Sequence, residues 1–145
     1  QSQTIDIPDE LKQGLRKFRL ARREGIAAFI AKVNKRELVI EEDTRLENIS
    51  RDLEELIEEL PESSPRFVVM AWIHEHSDGR KSYPLILINW TPSGSETGLM
   101  TLHASAFNLF QNLVVIAANR TVHQSIEIRD GEEGLTFDAI DALCT

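Results

Sequence analysis

The side chains best suited to chemistry are His74 and His76, Cys144, and a large stock of carboxylates. Two histidines two positions apart on a strand share one face and could touch a single metal ion. No third or fourth ligand is evident near them in the chain, and a histidine pair at the wet end of a hairpin needs no metal to explain it. Cys144 is the only cysteine, which excludes an intrachain disulfide and predicts a reducing compartment. With no histidine at a recognisable spacing it is a poor nucleophile candidate. The sequence has no glycine-rich phosphate loop, no strand-serine-helix elbow and no carboxylate pair in an apolar setting. These residues predict no catalytic centre, no bound metal and no cofactor, and point instead to a binding module.

The chain that must carry these residues is built around positions 60–91. Val68 to Ile73 and Leu85 to Ile88 are continuous apolar runs, and between them Asp78-Gly79 supplies a tight reversal. The expectation is a central hairpin, Arg66 to His74 and Ser82 to Thr91, with both faces covered. Ahead of it, Asp6 or Asp9 with Pro8 opens a helix running to about Arg23, its apolar stripe Leu11, Leu15 and Phe18. Lys12, Arg16, Arg19 and Arg23 form a neighbouring cationic stripe, with Lys17 and Arg22 beside it. Strands at Ile26 to Val33 and Glu37 to Glu42 follow, joined tightly by Asn34-Lys35-Arg36, and then an acidic loop. Ser50 is placed to cap a helix with Leu53, Leu56, Ile57 and Leu60 inside and Asp52, Glu54, Glu55, Glu58 and Glu59 outside.

No charged residue stands between Glu96 and Arg120. Polar interruptions at Thr101, His103, Ser105, Asn108, Gln111 and Asn112 argue against a membrane span. A helix over Leu99 to Asn119 would carry a core stripe of Leu99, Leu102, Ala106, Leu109, Leu113 and Ile116. That leaves Met100, His103, Phe107, Val114 and Ala118 on a third face; Val114 and Ala118 are expected to pack against the first helix, while Met100, His103 and Phe107 form an uncharged flank that would suit protein docking. A strand from His123 to Arg129 and a helix capped by Thr136 complete the chain. The order of elements predicts an α/β protein of the α+β type, a central mixed sheet sandwiched between helices, in one domain over residues 1–145.

With 145 residues the chain can bury a core unaided, and its net charge of −8 argues against nucleic-acid binding. No charged-then-apolar leader follows Gln1, so no secretion signal is expected.

Several stretches resemble glia maturation factors, within the actin-depolymerising factor homology domains. They are Leu15-Arg16-Lys17-Phe18-Arg19, Glu59-Leu60-Pro61-Glu62, Ser64-Pro65-Arg66-Phe67, Asp78-Gly79-Arg80, Ser82-Tyr83-Pro84-Leu85 and Ile126-Glu127-Ile128-Arg129. The likeness runs from about Asp9 to Leu143. It implies a non-enzymatic monomer that binds the actin-related protein 2/3 complex, inhibits nucleation of branches and promotes their dissociation, with weak or no binding to free actin. Actin at the branch junction is a further implied contact. The implied location is the cytoplasmic actin cytoskeleton, in cortical patches if the likeness of Asn89-Trp90-Thr91-Pro92 to fungal members holds.

The resemblance also implies two surfaces. The first comprises Ser2, Gln3, Met100, His103, Ala104 and Phe107, with Arg19 joining it. The second, implicated in debranching, comprises Asp78, Gly79, Arg80 and Lys81 with Glu132 and Glu133. One departure stands out: many relatives carry Tyr-Ala and then a Lys early in the long helix, whereas here His103-Ala104-Ser105-Ala106-Phe107 has no cation. Its loss should weaken contact with an acidic actin surface. Two other readings stay open at this point, an actin-binding depolymeriser of the cofilin type and, remotely, a small metal-dependent enzyme using His74 and His76.

Overall fold

Alternating burial along the strands builds the molecule. In a computed structural model that describes residues 4–118, Val122 and residues 124–144, Phe67 and Val69 enter one apolar cluster and Val68 and Met70 the other. These residues lie on β3 (Arg66–Ala71), the middle strand of a five-stranded sheet. Its antiparallel neighbours are β1 (Ile26–Asn34) and β6 (Leu85–Trp90). At one edge β1 pairs antiparallel with β2 (Val39–Ile49). At the other β6 pairs parallel with β7 (Gln124–Ile128), which makes the sheet mixed as expected.

One face is covered by α1 (Asp9–Leu20) and α3 (Thr97–Ala118), through Leu11, Leu15, Phe18, Leu102, Ala106 and Phe110. The approach of α1 to β1 and β2 is close at Gly14, where a Cβ would lie 2.9 Å from the movable Glu42 Oε1 and 3.3 Å from Phe29 Cε2. The opposite face is covered by α2 (Glu54–Glu59) and α4 (Phe137–Asp141), through Leu53, Leu56, Leu60, Leu135 and Ile140. Burial on both faces explains why the central strands read as continuous apolar runs.

Local chemistry corrects several expectations. The central hairpin is broken: β3 and β6 stop at Ala71 and Leu85, and a separate two-stranded tip, β4 (His74–Glu75) and β5 (Lys81–Ser82), continues beyond them. Pro84 has no amide proton for a ladder, and its carbonyl accepts from Trp72 N at 3.0 Å where pairing lapses. Helix α1 ends at Leu20, and the first turn is not opened by Asp6, which bridges to Val39 instead. Strand β2 extends through the supposed acidic loop, because its outward carboxylates meet water or cations while Ile40 and Ile49 turn in.

Ser50 does not cap α2. The residue before the helix is Leu53, in a left-handed conformation at φ 59°. The Ser50 amide is received by the Glu55 carboxylate at 3.1 Å, and Asp52 Oδ1 accepts from Glu54 N at 3.1 Å. Hydrogen bonds from Ser50 hold both Asp52 and Glu55 below the ordinary carboxylate range. Thr136 does cap α4, accepting from Ala139 N at 3.2 Å.

Candidate functional site

The first turns of α3 are positioned by charge at one end and by an aromatic stack along the side. Glu96 accepts from Gly98 N and Leu99 N at 3.2 and 3.3 Å and meets Lys35 Nζ at 2.8 Å. This carboxylate closes orphan amides at the helix start, and Lys35 holds it below its ordinary range. One turn later, Phe67 of β3 lies between two α3 rings, parallel to His103 at 4.0 Å and to Phe110 at 4.7 Å. Asn89 pairs with Phe67 across β3 and β6, and its Oδ1 accepts from His103 Nε2 at 2.6 Å.

This geometry corrects the expected helix face. His103 and Phe110 are fully buried, whereas Leu109 and Ile116, expected inside, are exposed, Ile116 by 76%; Val114 is buried in the cluster it shares with α1, as expected. His103 is therefore a packing residue and not a surface contact. Burial, aided by the Arg66 charge, pushes its pKa down to about 4, so the ring is neutral and Nε2 carries the proton given to Asn89. Its Nδ1 has no partner among the described residues. Met100, Ala104 and Phe107 do reach solvent, at i, i+4 and i+7 along an uncharged ridge; Ala104 is exposed and the other two half-buried. Although α3 is long and apolar enough by composition to cross a membrane, its Leu102, Ala106, Phe110, Leu113 and Val114 form the cover of the sheet.

Ser2 and Gln3 lie outside the described residues. The segment after them runs beside β2, with Asp6 N donating to Leu38 O at 2.8 Å and Ile5 buried. Since Asn34 pairs with Val39, Phe67 with Ala31 and Arg66 with Trp90, this segment and the start of α3 share one end of the sheet. Arg19 does not join them. It stands at the far end of α1, where Arg19, Arg22, Arg23, Ile73 and Tyr83 line one hollow below the tip. Within the cationic stripe Arg23 is structural: its guanidinium donates to Phe18 O at 2.6 Å and Glu47 at 2.9 Å and lies 4.4 Å from the Phe18 ring. Arg16, Lys17, Arg19 and Arg22 are exposed, and none is paired among the described residues.

The second surface is also divided. Ser77-Asp78-Gly79 forms a three-residue turn with Gly79 at φ 90°, closed by His76 N to Arg80 O at 2.8 Å. Asp78 accepts from Arg80 N at 3.1 Å and Arg80 Nε at 2.7 Å. These bonds hold its carboxyl below the ordinary range and fix the guanidinium over the turn. Lys81 is exposed on β5. Glu132 and Glu133 sit in a 3-10 turn, Gly131–Gly134, beside Leu60, Trp90 and Pro92. That is the opposite end of β6 from the tip, roughly 17 Å along a strand rising about 3.3 Å per residue. Between them lies α4, whose Phe137 ring carries Arg51 at 4.1 Å.

The tip is tied to α4 by bonds that sequence reading missed. His74 Nδ1 meets Asp141 Oδ1 at 2.8 Å, and Trp72 Nε1 donates to the same oxygen at 2.9 Å. Burial pushes the Asp141 carboxyl up, but hydrogen bonds from His74 and Trp72 and the nearby positive charge outweigh it and hold it below the ordinary range. Burial and the Asp141 charge push the Cys144 thiol up, which removes it further from nucleophilic chemistry.

Residues 4–144 match the family model described as cofilin/tropomyosin-type actin-binding protein. Glia maturation factor beta of Mus musculus is 38% identical over 128 residues, covering 88% of this chain and 84% of the mouse protein. Glia maturation factor of Drosophila melanogaster is 34% identical over 113 residues, covering 78% of this chain and 80% of the fly protein. The solution structure of glia maturation factor from Caenorhabditis elegans superimposes with a TM-score of 0.74 at 31% identity, covering 98% of this chain and 99% of that one. On fold and sequence together, this chain belongs to the glia maturation factors, a non-enzymatic branch of the cofilin/tropomyosin-type actin-binding family.

Proposed function

We propose that this protein, acting as a single domain in the cytoplasm, binds the actin-related protein 2/3 complex, inhibits branch nucleation and promotes loss of branches. The observation that carries this reading is the uncharged ridge of Met100, Ala104 and Phe107 on α3, beside the segment that begins at Thr4. A half-buried aromatic on a rigid helix is a suitable anchor, because it buries apolar area with little entropy left to lose. Phe107 stands where many relatives carry a cation, and an apolar groove would accept it where an acidic actin surface would not.

The tip supplies the second contact. Its Arg80, held by Asp78, meets the branch-junction actin or the complex beside it. Such a wedge removes a branch only if it binds the separated state more tightly than the branched one. Because Glu132 and Glu133 lie at the far end of β6, they form a contact separate from the tip. The free cations of α1 steer the encounter and lose influence as salt rises.

The reading is tested by measuring affinity for the purified complex and for actin monomers side by side. Submicromolar binding to the complex with at least tenfold weaker binding to actin supports it. Equal or stronger binding to actin favours the cofilin-type depolymeriser.

A further inference from the structure

The C-terminal turns bring Asp141, 67 residues beyond His74, and Cys144 to the hairpin tip. His74 on β4 is buried, and Asp141 and Cys144 are half-buried. Their ligand atoms all lie within 4.8 Å of one another. Of the Asp141 oxygens, Oδ1 receives both Trp72 and His74, leaving Oδ2 without a hydrogen bond among the described residues. Cys144 Sγ has only a long contact to Ile140 O at 3.9 Å.

We propose that His74, Asp141 and Cys144 form a binding site for a thiophilic divalent metal ion of the zinc type. Imidazole, carboxylate and thiolate are the three side-chain classes that zinc takes, and a thiolate in the set disfavours magnesium and calcium. Two ligands on one tetrahedral zinc lie about 3.4–3.6 Å apart, given bonds of about 2.0–2.3 Å. The cluster therefore closes by shifts of about an ångström, within reach of side chains at the end of a short helix. Coordination releases the thiol proton to solvent, moves the His74 proton from Nδ1 to Nε2, and replaces the hydrogen bond between His74 and Asp141. A water completes the tetrahedron; the neighbouring His76 is not within the donor cluster, and its Nε2 pairs with Ser82 Oγ at 3.1 Å. The ion cross-links the tip to the C-terminal helix and so sets how rigidly Asp78 to Lys81 are presented; its role is structural, not catalytic.

Cobalt(II), a spectroscopic substitute for zinc, tests this on the full chain. The expected result is one equivalent bound, a thiolate-to-cobalt charge-transfer band, displacement by zinc, and a raised Tm with zinc. Cys144→Ser should abolish the band and weaken binding roughly a hundredfold, and His74→Gln and Asp141→Asn should each weaken it at least tenfold. His76→Ala should leave binding unchanged. Because Cys144 is only half-buried, at the edge of the cluster beneath α4, and serine is nearly isosteric with it, Cys144→Ser keeps the test available if His74→Gln fails to fold. Absence of saturable one-to-one binding below about 100 μM, or binding that Cys144→Ser leaves intact, overturns the site.

Discussion

His103 of α3 and Asn89 of β6 meet at 2.6 Å beneath the long helix, and this bond adds to the clasp of His103 and Phe110 on Phe67 that sets the rotation of the helix about its own axis. The ring is stacked on Phe67 and donates from Nε2 to Asn89 Oδ1. That arrangement turns Met100, Ala104 and Phe107 toward solvent and buries the face next to them. Replacing His103 with Ala removes both stack and donor. It should cost about 3–5 kcal/mol, the range for buried aromatic truncations, and Asn89→Ala about 1–3 kcal/mol. Urea unfolding checks both.

The same residue makes stability depend on pH. Unfolded histidine titrates near pH 6.5 and folded His103 at about 4, so between these values the unfolded state binds more protons. Stability from the neutral ring is complete above about pH 6.5 and is lost as pH falls toward 4, by up to roughly 3 kcal/mol. His103→Gln, which can donate to Asn89 without titrating, should be less stable at pH 7 yet show a flatter profile between pH 6.5 and 4. Equal slopes in the two proteins would place the dependence elsewhere.

Arg23 and Arg22 should separate structure from recognition. Arg23 is wrapped onto Phe18 and Glu47, and Arg23→Ala should destabilise by about 1–3 kcal/mol through lost charge-assisted bonds. Arg22→Ala should leave the Tm unchanged and lower the association rate with the complex at low salt, measured by stopped flow.

Phe107→Ala should retain the fold, since the ring is only half-buried, and weaken binding to the complex by about 2 kcal/mol, roughly thirtyfold, as for an anchor residue. Phe107→Lys places a cation on the ridge and should raise co-sedimentation with actin filaments.

Sheet and layers were legible because burial on both faces writes continuous apolar runs into β3 and β6. The helix face was not. Apolar residues surround α3 on almost every side, so periodicity chose Leu109 and Ile116 for the core, where the structure has His103 and Phe110. What decides is a shape match: His103 and Phe110, seven apart, clasp Phe67. That spacing was visible, but its partner was not. Ser50 misled for a related reason, since the Glu55 carboxylate captured the amide that a helix start would have used. Asp141 and Cys144 could be placed beside His74 only by folding.

The central claim is that the tip and the α3 ridge together shorten the life of a branch. Filaments branched by the actin-related protein 2/3 complex should be watched by fluorescence microscopy with unbranched filaments in the same field. Branches should be lost faster with the wild-type protein while unbranched filaments stay whole, and Arg80→Ala should abolish the acceleration without changing the Tm. Severing of the unbranched filaments, or undiminished branch loss with Arg80→Ala, would contradict it.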